Sequence, residues 1–305
     1  MVWNPSEGID LGFFEIKFYS LMFVIAFGLG FYIMKKIFNR ENESIEKLDT
    51  LFVWTVIATL VGARLGQAFF YDWDYFKNNL LEIILPVKFE PKLHFTGFAG
   101  LASHGAAIGI IVTMYFYSKK IIQKPILWVL DRVVIPVASG AVFVRIGNFF
   151  NSEIYGHITS KDNPIAIKFV RETEFWSTYN YYEVTKIKDM DLAIDKIVSD
   201  PKSHSIIDSI PYRYPSQLME SFCYIFVFAI LFFMYWKTDA RKKTGLIFGS
   251  FLVLLWSVRF VVEFYKESQG GFGDNTNLST GQWLSIPFIL VGIFYIIRSQ
   301  RKIIS

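Results

Sequence analysis

Cysteine and histidine are scarce in this chain: 305 residues include one cysteine, Cys223, and four histidines, His94, His104, His157 and His204. A single thiol excludes an internal disulfide and a cysteine-based metal site, and it leaves the redox compartment open. The histidines lack the spacing of a zinc set, so no metal is expected. Charge is scarce as well. Charged residues make up only 19% of the chain and the formal net charge is +4, with basic residues gathered at the ends of apolar runs, which disfavours a nucleic-acid partner. Internal repeats are missing too, which weighs against a transporter built from inverted repeats. What the chain has in abundance is apolar and aromatic residues, 53% and 18%, the composition of an integral membrane protein.

Seven runs have about the length a bilayer requires: 14–34, 51–71, 97–118, 126–150, 216–236, 244–265 and 282–297. The expected fold is an all-α integral membrane protein with seven transmembrane helices. Lys35, Lys36 and Arg40 follow the first run, Lys119, Lys120 and Lys124 the third, Lys237, Arg241, Lys242 and Lys243 the fifth, and Arg298, Arg301 and Lys302 the seventh. All four clusters fall on one side, which the positive-inside rule makes the cytoplasm; the N-terminus is expected outside and the C-terminus cytoplasmic. Acids precede a first run of full length, so no cleavable signal peptide is expected. The polar stretch 157–213 reads as a small mixed α/β extracytoplasmic head, strand-like at 165–170 and 181–187 and helical near 191–198. The chain thus divides into residues 1–156 with helices one to four, the head 157–213, and 214–305 with helices five to seven. Further outer loops are expected at 71–96, with an apolar patch at 80–87, and at 266–281, with Gly270, Gly271 and Gly273.

Ionisable groups at membrane depth are costly and by default functional. The fourth run closes on VRIGNFFNSEIYG at 144–156, with Arg145, Asn148, Asn151 and Glu153. Arg145, Asn148 and Ser152 share a helical face, with Gly147 leaving room for a close approach. Tyr19 opens the first run, Arg64 and Gln67 lie late in the second, His104 early in the third, Gln217 and Glu220 open the fifth, and Arg259 and Glu263 close the sixth. Because successive runs alternate in direction, all these positions share one depth near the outer face, which argues for a single pocket. Arg259 and Glu263, four residues apart, are spaced to pair, whether as a structural stitch or as part of the pocket. Three arginines at one level are more than Glu263 alone can neutralise, which favours a bound anion, and planar guanidinium groups suit the phosphate of an anionic phospholipid. His104 is the one histidine within a run, either packing helices among small neighbours or serving as a base. An enzyme acting on such a lipid and a seven-span transporter of an anionic solute or lipid both fit these residues, although a transporter is expected to hold its charges at the midplane.

The string formed by Arg145, Gly147, Asn148, Phe149, Asn151, Glu153 and Gly156 resembles the signature of the prolipoprotein diacylglyceryl transferase family. Similar strings follow in the family's order: FYSLM at 18–22, ARLG at 63–66, SHG at 103–105, YPSQLME at 214–220, RFVVEF at 259–264 and GQWLSIP at 281–287. Only 157–213 is weakly matched. The resemblance implies a seven-helix enzyme of the bacterial cytoplasmic (inner) membrane. Its reaction would move a diacylglyceryl group from phosphatidylglycerol to the lipobox cysteine of a prolipoprotein, forming a thioether and releasing glycerol phosphate, with no cofactor. The implied partners are phosphatidylglycerol, signal peptides bearing the lipobox cysteine, and membrane lipids. Arg145, Arg259, His104 and Tyr19 are the implied catalytic residues; Arg64, Asn148, Asn151, Glu153, Gly156, Gln217 and Glu263 are the implied substrate-binding ones. The chain departs from the family's pattern at Ala106 and Val144, where glycine is usual, and at Met219 and Leu255, where tyrosine is usual.

Overall fold

The computed structural model describes every residue except 7, 13–14, 86, 90–93, 96–101, 268–277 and 302–305. The beginning of the third expected run, Gly97, and the three loop glycines Gly270, Gly271 and Gly273 lie outside the described residues. Among those described, seven helices are long and apolar enough to cross a membrane: α1 Phe18–Glu41, α2 Ile45–Phe70, α3 Ser103–Tyr117, α4 Ile126–Phe150, α5 Ser216–Lys237, α6 Leu246–Val262 and α7 Thr280–Arg301. A π turn, Ser118–Ile122, extends α3, and a 3-10 turn, Glu263–Tyr265, extends α6. The chain is a mostly helical, multi-pass membrane protein. Several helices outrun their apolar stretches, because a hydrogen-bonded ladder ends at a cap and not where hydropathy falls. Thus α1 carries its basic residues onward until Asn42 turns left-handed at φ 56°, and α2 starts six residues early, where the Ser44 side chain accepts from the Lys47 amide.

The chain forms two compact units, Met1–Gly30 with Val134–Ser305, and Phe31–Val133. In the second unit, α2 and α3 approach backbone to backbone. A Cβ on Gly105 would stand 2.1 Å from the Gly62 carbonyl oxygen and 2.6 Å from the Gly66 Cα, the close contact through which small residues bind helices in lipid. Elsewhere in this unit Arg132, nearly buried, pairs with Glu41 at 2.9 Å and lies 4.1 Å from the Trp128 ring centroid. That contact joins α4 to the end of α1.

In the first unit, α6 packs on both α5 and α7, with Trp256 stacked on Phe288 at 4.2 Å. Residues 157–213 form short helices and two-residue strands around a core of Val170, Trp176, Ile194, Ile197 and Ile210. Met190–Ser199 is its longest helix, capped by Asp189 and laid apolar side down on that core. The stretch 181–187 is not a strand. Tyr181–Thr185 is a helical turn begun by Asn180, whose side chain accepts from the Glu183 amide, and ended by Lys186 in the left-handed region; local capping overrides the apolar alternation there. Strand Val2–Trp3 runs parallel to Lys168–Phe169, and Ile158–Thr159 runs antiparallel to Tyr212–Arg213. Arg213 gathers Glu172, Glu174 and Glu267; burial pushes the Glu172 carboxyl up against the pull of this guanidinium.

The glycine contact makes a clear prediction. Gly105→Val drives methyl groups into the Gly62 and Gly66 backbone and is expected to cost about 2 kcal/mol or more, read as a lowered thermal midpoint in detergent, whereas Ile108→Val, at a half-exposed position on the same helix, leaves it nearly unchanged.

Candidate functional site

The end of α4 builds the centre of the candidate site. The Glu153 amide donates to the Asn148 carbonyl at 3.1 Å and the Ser152 amide to the Phe149 carbonyl at 3.1 Å, the paired closure of a Schellman turn. Such a turn needs a left-handed residue after the helix, usually glycine. Here it is Ser152, at φ 52°, followed two residues on by the β-branched Ile154 at φ 58°, an unusual conformation for such a side chain. Strain of this kind persists only where surrounding contacts over-determine it. Those contacts are visible: Ser216 Oγ donates to the Ile154 carbonyl at 2.7 Å, and Gln217 Nε2 to the Glu153 carbonyl at 2.6 Å. The first turn of α5 therefore clamps the end of α4.

The turn folds Glu153 back so that its carboxylate accepts from Asn148 Nδ2 at 2.7 Å, while Asn148 Oδ1 accepts from Arg145 Nη1 at 3.1 Å. The Arg145 Nε lies 2.6 Å from Glu220 Oε2, and the Glu220 side chain has no exposure at all. The other oxygen, Oε1, accepts from Lys266 Nζ at 3.1 Å. Lys266 also lies 3.8 Å from Glu263 Oε2, and Glu263 accepts from Ser279 Oγ at 3.1 Å. One network thus joins α4, α5, the end of α6 and the start of α7. Burial pushes the Lys266 ammonium below its usual range, reinforced by Arg145 and Arg259 and opposed by Glu220 and Glu263.

The expected pairing of Arg259 with Glu263 does not form. The helix tightens at Glu263–Tyr265, and Glu263 turns to Ser279 and Lys266. Arg259 lies against the Trp256 ring, 5.4 Å from its Cζ, and its buried Nε has no hydrogen-bond partner among the described residues. Ser152 Oγ and Gln217 Oε1 are likewise buried without partners among the described residues. Native proteins leave few such atoms unsatisfied. A buried donor on a permanently charged group can take an anion. The position of the usual tyrosine holds Leu255, yet the next residue, Trp256, supplies Arg259 with an aromatic face.

The other expected residues have separate settings. Tyr19 lies over Gly147, where a Cβ would stand 2.9 Å from its ring. Gly156 passes between the ends of α5 and α6: its amide donates to the Tyr214 carbonyl at 2.8 Å, it bridges to Lys266, and a Cβ there would meet the Tyr265 carbonyl oxygen at 2.3 Å. The Asn151 side chain is exposed and enters no hydrogen bond among the described residues. Arg64 and His104 belong to the second unit. There Arg64 donates Nε to the Ile83 carbonyl at 3.1 Å and Nη2 to the Glu82 carbonyl, and it stacks on Phe76, so it holds the loop after α2. His104, exposed at the start of α3, has Nδ1 3.5 Å from the Tyr71 hydroxyl. Sequence reading passed over Lys266 and gave Glu220 no role. The spacing of residues 259, 263 and 266 along one helical face was the available signal, hidden because Lys266 reads as the first residue of a loop.

Removing the shared carboxylate strands two cations. Glu220→Ala is expected to destabilise the protein by about 3–5 kcal/mol, measured by thermal or denaturant unfolding in detergent, with a smaller loss for Glu220→Gln, which keeps an acceptor.

The family described as prolipoprotein diacylglyceryl transferase matches residues 7–298. A phosphatidylglycerol–prolipoprotein diacylglyceryl transferase of Chloroherpeton thalassium is 35% identical over 98% of this chain and 94% of its own length. The proteins of that name from Porphyromonas gingivalis and Tolumonas auensis are 35% and 31% identical, over 95% and 99% of this chain and 91% and 98% of their own lengths.

Proposed function

The chain belongs to the prolipoprotein diacylglyceryl transferase family, and from that premise we propose that it transfers the diacylglyceryl group of phosphatidylglycerol to prolipoproteins, the first step of lipoprotein maturation. The acceptor is the lipobox cysteine of a signal peptide, and the enzyme works in the bacterial cytoplasmic membrane. Basic residues at four helix ends support an outer N-terminus and a cytoplasmic C-terminus. In that orientation residues 157–213 form an extracytoplasmic head above the ends of α4 and α5.

One observation carries the reading: Arg259, near enough to the Lys266 ammonium to repel it, has a buried Nε without a hydrogen-bond partner among the described residues. A guanidinium stays charged when desolvated and recognises phosphate oxygens in pairs. Arg259 and Arg145 bind the headgroup phosphate. The cysteine sulfur, as thiolate, attacks the glycerol carbon that bears the phosphoester oxygen. A carbon–sulfur bond forms, the carbon–oxygen bond breaks, and glycerol phosphate leaves with the electron pair. Charge grows on its phosphate oxygens, where the two guanidinium groups stabilise it, the kind of preorganised aid that dominates many rate enhancements. The thiol proton passes to a base before the attack. Asn148 and Glu153 orient Arg145, Gln217 Oε1 and Ser152 Oγ accept from the glycerol hydroxyls, and Tyr19 borders the lipid. The enzyme needs no nucleophile of its own, because the attacking sulfur belongs to the peptide.

Purified protein in detergent, given phosphatidylglycerol and a lipobox peptide, is expected to add one diacylglyceryl mass to the peptide and release glycerol phosphate, both read by mass spectrometry. Arg259→Gln is expected to lower the rate by about 100-fold or more with folding intact. A folded Arg259→Gln protein working at the parent rate would refute the phosphate role.

A further inference from the structure

Glu220 carries one negative charge and serves two cations. Its Oε2 faces Arg145 Nε at 2.6 Å and its Oε1 faces Lys266 Nζ at 3.1 Å, with the lysine side chain 6% exposed. Lys266 is held by more than its ammonium, because its backbone bridges to Gly156 and the His157 amide donates to the preceding Tyr265 carbonyl at 2.8 Å. The groups facing it are Glu220 from α5, Glu263 from the end of α6, Arg145 from α4 and Arg259 from α6. Burial on this scale is costly for a lysine that serves only as a stitch, since the first residue after a helix can usually reach water.

The division of Glu220 has two consequences for Arg145. Its Nε is paired with the Glu220 carboxylate and its Nη1 is bonded to Asn148, so the guanidinium plane is set by two fixed partners, with a further side-chain hydrogen bond to Tyr224. Its positive charge is also only partly cancelled, because Lys266 draws on the same carboxylate. A phosphate is attracted by what is left. Without Lys266, Glu220 could turn both oxygens to Arg145 and close it as a bidentate pair.

We propose that Lys266 is a positioning residue of the lipid-phosphate site: by holding one oxygen of Glu220 it keeps Arg145 oriented and electrostatically available to the phosphate. The proposal rests on the transferase reading. Its chemistry calls for a permanent positive charge at position 266, not for lysine as such, which makes arginine the informative replacement.

The test compares Lys266→Met and Lys266→Arg with the parent in peptide lipidation, together with thermal unfolding with and without phosphatidylglycerol micelles. Lys266→Met, folded, is expected to lose about 30-fold in kcat/KM, and Lys266→Arg to recover to within about threefold of the parent. The pH profile separates positioning from mere support. The Lys266 ammonium loses its proton at lower pH than a free lysine, and activity should fall with it on the alkaline side; a guanidinium does not titrate there, so the alkaline limb of Lys266→Arg should move to higher pH. A folded Lys266→Met protein at the parent rate overturns the proposal. If Lys266→Met does not fold, the arginine variant decides: a shifted limb supports the proposal and an unmoved limb overturns it. If the parent itself transfers nothing, the transferase reading falls alone, and micelle stabilisation decides this proposal: loss in Lys266→Met supports it, equal stabilisation overturns it.

Discussion

A carboxylate with no access to solvent is tolerated only when its charge is met, and Glu220 meets two. Arg145 and Lys266 take one oxygen each, and from this junction α4, α5 and the chain after α6 acquire fixed relations. Ionic contacts of this kind are strong because desolvation has already been suffered by every member, so that losing one leaves the others exposed to its full cost. The network is also incomplete by design. Arg259 stacks on Trp256 and, among the described residues, leaves its Nε unsatisfied. A purely structural charge cluster would have closed on itself.

The strained turn after α4 belongs to the same arrangement. Ser152 and Ile154 hold left-handed conformations that a glycine would adopt freely, and the hydrogen bonds from Ser216 and Gln217 keep them there. What the strain achieves is direction. Glu153 is turned back against Asn148, and Asn148 against Arg145, so a guanidinium at the helix end is oriented by its own sequence neighbours before any ligand arrives. Preorganisation of that kind is what stabilises charge that develops during a reaction.

The two units use different devices to hold helices together. In the unit of Phe31–Val133, α2 and α3 meet through glycines with no room for a side chain. In the other, α5, α6 and α7 are joined by buried polar contacts and by aromatic stacking of Trp256 on Phe288. Arg64 shows why an arginine near a helix end is ambiguous by itself: its donors are taken by the Ile83 and Glu82 carbonyls, a holding role for the loop after α2.

Periodicity and hydropathy were enough to find seven membrane-length helices, because a bilayer imposes a length and a polarity that any sequence crossing it must display. The ordered motifs carried the family, and most residues of the site were visible as polar groups where polar groups are expensive. Helix ends were less legible: caps at Asn42, Ser44 and Asn180 are decided by single residues that hydropathy does not register. Partners within the site were not legible at all. Spacing put Glu263 within reach of Arg259, but the tightening of the helix end and the arrival of Ser279 from α7 sent it elsewhere, and Lys266 read as loop. Sequence determines which side chains stand at which height on a helix, since that follows from local geometry. Which of them share a charge depends on distances between segments far apart in the chain, and only the packed tertiary structure decides those.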